Sequence, residues 1–487
     1  MISFILSFVA LILGYILYGK FVEKVFGPEP GRKTPAVTKA DGVDFIKMPS
    51  WKVFMIQFLN IAGTGPIFGA IMGAKFGPSA YLWIVFGCIF AGAVHDYMVG
   101  MLSVRHGGVG LPELVGIYLG KGTKKVMLVF SVILLLLVGT VFVYSPALIL
   151  GDIAGDGGRN SIMLWVLIIF LYYIVATLLP IDKIIGKIYP LFAFALLFMA
   201  VSLMVVLFIK WPSLPEIWDG LGSRGPADQP IFPCLFITIA CGAISGFHGT
   251  QSPLMARCME NEREGRAIFY GSMITEGIVA LVWAAVSSYF FFDGGAAEVG
   301  STTAAAAPTV VTKVSESWLG IVGGILAILG VVAAPITSGD TAFRSSRLII
   351  ADFLKIGQKD VKNRLIIAIP LFLAATALLW FNVANEDGFN IIWRYFGWAN
   401  QTLAVFSLWA ATVYFVRKKS GLYYLITFLP AVFMTAVVTT YIAIAKIGFN
   451  LPSTWNVAIG ASAALISVVL FYLWKGKRAT SPSEKEQ

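Results

Sequence analysis

Charge is what this sequence has least of. Asp, Glu, Lys and Arg make up 13% of its 487 residues, where a soluble domain carries about a quarter. Mean hydropathy is +0.83. No separate soluble domain is expected, because little chain remains once the apolar runs are set aside. Cysteine is also scarce. Cys88, Cys234, Cys241 and Cys258 lie in or beside apolar runs, which argues against disulfides. No CxxC pair, HExxH or GxxxxGK[ST] occurs, which argues against a structural zinc, a metalloprotease and an ATP-driven pump. Residues 475–487 are too short for an appended signalling domain, and Thr480–Gln487 reads as a polar, disordered tail.

What is abundant is the long hydrophobic run. Thirteen stretches approach the ~20 residues needed to cross a bilayer. They are Ile2–Tyr18, Trp51–Met72, Tyr81–Val104, Val126–Leu150, Ser161–Pro180, Ile188–Ile209, Ile231–Ala256, Ala267–Phe292, Trp318–Phe343, Leu365–Val383, Ile391–Val416, Leu422–Tyr441 and Thr454–Trp474. The first is read as a span rather than a signal peptide, since no basic region precedes it and a basic loop follows.

Two of these runs carry helix-weakening residues at mid-span. In Ile56–Gly77 the interruption is Gly63-Thr64-Gly65-Pro66; in Phe232–Ala256 it is Gly242-Ala243-Ile244-Ser245-Gly246. Proline removes a donor and glycine weakens a helix. Freed backbone groups survive in a membrane only where protein or a polar cavity surrounds them. Both are therefore expected to be broken helices. Gly65, Gly69, Gly73 and Gly77 recur every four residues, giving a bare stripe for close approach of a neighbour.

Basic residues set the orientation. All but seven of the 36 Lys and Arg fall in alternate loops. The exceptions are Lys75, Arg159, Lys210, Arg224, Lys313, Arg394 and Lys446. The loops between are comparatively acidic, with Asp152, Asp156, Asp219, Asp228, Asp293, Glu298, Glu386 and Asp387. The basic loops are expected in the cytoplasm, with the N-terminus outside and the C-terminus inside. The net charge of +10 is then a topology signal, and no nucleic-acid partner is expected.

The broken spans are the second and the seventh. Each opens a set of five, 51–209 and 231–416, and the two sets run in opposite directions. That is the inverted repeat of the leucine-transporter fold: an all-α polytopic protein forming one transmembrane domain. Residues 1–50 add a helix and a basic loop, 421–474 add two helices, and 475–487 form a tail.

The runs NIAGTGPIFG, AGAVHDYM, CGAISGFHGTQSP and PITSGDTAFRSSRL resemble the signature segments of the carbon starvation protein A family. The resemblance extends from Trp51 to Trp409. Thr250-Gln251-Ser252-Pro253 departs from the family pattern and marks a region that tunes substrate choice. The resemblance implies a carrier of the bacterial inner membrane for peptides or pyruvate.

Half-helix N-termini suit a carboxylate and unwound carbonyls suit a cation. Gly63, Thr64, Gly65, Gly242, Ser245 and Gly246 are therefore the candidate shell for substrate and ion, with His248 just beyond. The alternative is that they only re-satisfy broken backbone, and that His248 is a polar cap. Three acids lie inside spans, where charge is costly. Glu276 is closest to mid-membrane and is the candidate proton carrier. Asp96 follows His95. Asp340 precedes Arg344 by four residues, so a helix-end ion pair is its alternative. Ala334, Thr337 and Ser338 share a helix face and are similar to the Ala-x-x-Thr-Ser pattern of the leucine-transporter fold. That similarity implies a coupling Na⁺ held by Gly63, Gly65, Ala334, Thr337 and Ser338. Its alternative is hydroxyls bonded one turn back, beside Pro335.

The expected function is uptake of a small carboxylate-bearing solute, coupled to H⁺ or Na⁺, with the lipid bilayer as the other partner and no resident cofactor. The oligomeric state is not legible. A membrane-embedded enzyme using Glu276, Asp96 and His95, and a nutrient sensor on the same fold, are the rivals.

Overall fold

The computed structural model describes residues 1–154, 158–178, 181–226, 228–292, 303 and 306–479. Asp156, Asp293 and Glu298, the end of the run Ser161–Pro180, and the tail Thr480–Gln487 lie outside them. All regular structure among the described residues is helical. A chain in hydrocarbon must satisfy its backbone within each segment, and helices do so.

Among the described residues, ten helices are long and apolar enough to cross a membrane: Ile2–Phe26, Ser79–Arg105, Lys121–Ile153, Arg159–Leu178, Tyr189–Lys210, Glu262–Phe291, Val361–Ala384, Gly388–Lys418, Leu425–Ile444 and Ser453–Lys477. The pair Ser50–Ile61 and Gly65–Phe76, bent by 45°, makes an eleventh. The expected count of thirteen is thus not reached on length and composition alone. Of the two other expected spans, one is divided into Ile231–Thr238 and Gly246–Ala256, halves too short to cross singly. The other is part of Ala307–Leu354, 48 residues long and interrupted where Gly320 takes φ 64°.

Both expected breaks are present, with shifted edges. The first lies at residues 62–64, and Gly65 and Pro66 begin the second half-helix. Proline is tolerated in a first turn because the N–H it lacks has no helical partner there. The second break runs from Ile239 to Ser245, where Gly242 takes φ 89°.

The glycine stripe joins the two broken segments. A Cβ added at Gly65 would lie 2.4 Å from Cys241 Sγ, at Gly69 2.9 Å from Thr238 O, and at Gly73 2.4 Å from Ile239 Cδ1. Gly77 lies past the helix in a turn with φ 58°. Packed around this pair are the helices holding Asp96, Glu276, Ser338 and Asn400.

The loops sort into two ends. At one, Arg105 reaches Glu262 (3.3 Å) and Gly27 O (2.6 Å), Arg257 donates to Gly108 O (2.8 Å), Arg344 stands 3.5 Å from Asp44, and Arg364 donates to Leu178 O (2.6 Å). At the other, Arg224 N donates to Lys75 O (2.7 Å), Lys446 stands 3.5 Å from Asp228, and Glu216 receives the backbone N–H groups of Ile2 and Ser3 at 2.9 and 2.7 Å. Burial alone would raise the Glu216 carboxyl. The Met1 amino group and those donors outweigh it and hold the group at about 2.

Candidate functional site

The second break is held open by an amide on a neighbouring helix. Asn400, on Gly388–Lys418, accepts at Oδ1 from Ser245 Oγ (3.0 Å) and from Phe247 N–H (2.6 Å). Its Nδ2 points at Cys241 Sγ, 3.7 Å away. Gln401 donates to Phe236 O (3.0 Å), and Trp83 Nε1 donates to Ile239 O (2.9 Å). The groups freed by the break are thus partly re-satisfied by side chains, as a membrane interior requires. Gly246 fits only without a side chain: its Cβ would lie 2.3 Å from Asn400 O and 2.5 Å from Ala404 N.

Beside this break lies a line of four buried ionisable side chains. His95 Nδ1 is 2.8 Å from Asp96 Oδ1, and His248 Nδ1 is 2.9 Å from Asp96 Oδ2. The far ring nitrogen of His248, Nε2, is 3.3 Å from Glu276 Oε2, not aligned as a hydrogen bond. Asp96 sits on Ala93–Arg105 and Glu276 on Ser272–Phe292, the second span of each expected set of five. Each follows a π-helical turn, Cys88–Gly92 and Arg266–Gly271 respectively. Such turns redirect side chains and recur at functional sites. Because Asp96 fixes one ring nitrogen of His248, the other is aimed at Glu276. Cys241 completes a close group: donor atoms of Cys241, His248 and Glu276 all lie within 4.8 Å of one another. This arrangement can hold a proton between His248 and Glu276. Its S, N and O donors could also hold a divalent transition metal.

The first break is less satisfied. Thr64 Oγ1 and both amide atoms of Asn60 are buried without a partner among the described residues. Ser338 Oγ donates to Leu59 O (3.0 Å), and a Cβ on Gly63 would stand 3.2 Å from that hydroxyl. Thr337 Oγ1 turns back to Ala334 O (2.8 Å) and Ala333 O (3.1 Å). Of the expected Na⁺ set, Ser338 alone reaches Gly63 and the first break, Thr337 bonds back to Ala334 within its own helix, and Gly65 faces Cys241 and the second break. Asp340 is elsewhere: it accepts from Tyr189 OH (2.7 Å), which also donates to Thr337 O (3.1 Å).

So the structure gathers Asp96, His248, Glu276, Ser245, Gly242 and Gly246 at one break. Gly63, Thr64 and Ser338 gather at the other, and Asp340 is apart. Asn400, Gln401 and Cys241 escaped the sequence reading. Two consecutive amides inside an apolar run were the available signal, since polar groups there need a purpose.

Residues 1–154, 159–319 and 309–442 match the profile of the family described as carbon starvation protein CstA. An uncharacterized membrane protein of Haemophilus influenzae is 48% identical over 59% of this chain and 90% of its own length. The peptide transporter CstA of Campylobacter jejuni is 28% identical over 89% of this chain and 78% of its own length. The pyruvate/proton symporter BtsT of Escherichia coli is 28% identical over 57% and 47%. Among solved structures, a manganese transporter of Eremococcus coleocola superposes with TM-score 0.59 over 91% of this chain and 99% of its own, at 12% identity. That likeness establishes a fold of the leucine-transporter type.

Proposed function

We propose that this chain, which belongs to the carbon starvation protein CstA family, is an uptake carrier for a small carboxylate-bearing solute, a peptide or pyruvate, driven by protons. The observation carrying this reading is the contact line Asp96, His248 and Glu276, fully buried and with both acids on helices long and apolar enough to span a membrane, which ties two counterpart helices to the second break. Ionisable side chains at that depth are functional by default. His248 belongs to the half-helix itself, so gain or loss of a proton on Glu276 changes what holds that half-helix in place. The first turn of the half-helix, from Ser245 and Gly246, and the open polar groups at Thr64 and Asn60 are the substrate's ligands. The relatives' names supply the substrate classes, peptide and pyruvate.

Residues 51–209 and 231–416 are the two inverted units, with 1–50 and 421–474 as additions. The basic end lies in the cytoplasm and the carrier in the inner membrane, N-terminus outside and C-terminus inside. The scarcity of Lys and Arg at the opposite end supports this.

The test is Glu276→Gln in proteoliposomes. Gln keeps the shape and cannot carry the proton. Exchange of labelled substrate should persist while accumulation driven by a pH gradient disappears. Accumulation equal to the unmodified protein removes Glu276 as the coupling group.

Sodium is the second reading, favoured by the Ser338 hydroxyl beside Gly63 and Leu59 O. Thr337→Val with Ser338→Ala deletes both hydroxyls at nearly constant volume. A carrier using Na⁺ should then need far more of it. Uptake already indifferent to Na⁺ before substitution rejects this version.

A further inference from the structure

The end of the bundle poor in Lys and Arg has seven such residues. Three of them, Lys75, Arg394 and Lys446, line one cavity of about 460 Å³. Its walls come from the outer parts of both broken segments, the start of Gly388–Lys418 and the loop after Ile444.

The charges within it do not cancel. Lys75 is only 8% exposed. Its Nζ donates to Gln229 Oε1 (2.5 Å), a neutral acceptor, and no carboxylate stands within ion-pair distance of it among the described residues. Arg394 is half-buried, and among the described residues it makes no hydrogen bond or ion pair. Asp228 is the one acid among the described lining residues, and it pairs with Lys446 (3.5 Å) at the exposed rim. Among the described residues, the interior is left with an ammonium and a guanidinium, and the nearest acid, Asp228, is already paired at the rim. Burying charge without a partner is costly, and walls of one sign in a low-dielectric cleft concentrate ions of the other. A guanidinium further matches the planar geometry of a carboxylate.

Below the cavity lies a wall of rings. Trp393, which lines the cavity, packs on Phe68 at 5.7 Å between centroids and on Phe396 at 5.5 Å. Phe396 meets Phe142 at 6.3 Å, and Phe142 meets Phe247 at 5.9 Å. Phe142 closes on the first break, where a Cβ on Gly63 would stand 2.7 Å from its ring. The rings form an unbroken chain of contacts from the cavity to the first break and to Phe247, while Thr238 of the cavity wall adjoins the second break.

We propose that this cavity is a carboxylate-binding antechamber: Lys75 and Arg394 hold the substrate's carboxylate before the ring wall admits it to the breaks. The passage step rests on the uptake reading above; the binding step does not. The volume lies within the range of small-molecule sites and suits a three-carbon acid or a dipeptide.

The experiment is calorimetric binding to the full-length protein in nanodiscs. The probes are pyruvate and dialanine, with pyruvamide and dialanine amide as neutral counterparts. The carboxylates should bind and the amides should not. Arg394→Gln and Lys75→Gln should each raise the half-saturating carboxylate concentration about tenfold or more, the loss expected for one charged hydrogen-bond donor. Arg394→Lys should recover part of the affinity, and melting curves matching the unmodified protein show that the variants fold. Equal binding of acid and amide, or unchanged affinity in the folded Arg394→Gln and Lys75→Gln variants, overturns the antechamber. Proteoliposome uptake separates the two claims. Carboxylate binding that depends on Arg394, without uptake, keeps the antechamber and defeats the carrier reading. Uptake whose half-saturation ignores both substitutions does the reverse.

Discussion

At the scale of residues, contacts between distant parts of the chain build the site. Asp96 has one oxygen on His95 and the other on His248. Asp96→Asn removes the charge that fixes the His248 ring. Accumulation should fall by at least tenfold, and the pH profile of exchange should shift, which a merely structural loss would not produce. Asn400→Ala would strand two buried donors, Ser245 Oγ and Phe247 N–H. Each stranded donor costs about 1–3 kcal/mol, so a thermal melt should show a clearly less stable protein, and uptake should be lost with it. A melt within error of the unmodified protein would show that Asn400 does not hold the break. The ionisable residues at 96, 248 and 276 were legible individually, because charge inside an apolar run stands out. Their union was not, since positions so far apart in sequence meet only through helix packing. Asp340 was legible as an intramembrane acid, yet its partner Tyr189 comes from another helix and no spacing rule supplies it.

At the scale of elements, glycine does two different things. Gly246 faces backbone: its Cβ would lie 2.3 Å from Asn400 O, and backbone cannot move aside cheaply. Gly73 faces the Ile239 side chain, Cδ1 at 2.4 Å and Cγ1 at 2.5 Å, which has a freedom to shift that backbone lacks. Gly246→Ala should abolish exchange and lower the melting temperature, whereas Gly73→Ala should keep most of both. Comparable losses in the two variants would mean that the break is not specially crowded. The existence of both broken helices was legible, because glycine and proline act locally on the backbone. Their edges were less so. Pro66 was read as part of an interruption and instead starts a half-helix, a position where its missing N–H is harmless. The merging of 307–354 into one element with a kink at Gly320 was also unread. The stretch before Gly320 carries Thr312, Lys313, Ser315 and Glu316 and so offers no long apolar run, and the positive φ at Gly320 marks the joint.

At the scale of the molecule, the alternation of basic and acidic loops is matched by the contacts at each end. Arg105, Arg257, Arg344 and Arg364 bond within one end, and Lys446 bonds within the other. Single cysteines at Ser420 and Asn450, labelled in intact cells by an impermeant thiol reagent, should report opposite sides: Asn450 reactive, Ser420 protected. Labelling of both from outside would contradict the crossing of the membrane by Leu425–Ile444. The central functional claim is that a proton gradient moves an unmodified solute through the two breaks. The direct measurement is accumulation of labelled pyruvate and dialanine in proteoliposomes with an imposed inward proton gradient, followed by recovery of the solute from the lumen. The account predicts accumulation of at least one of them above the outside concentration, its collapse on adding a protonophore, and recovery of the solute chemically unchanged. Equilibration that ignores the gradient, or recovery of an altered compound, would contradict it.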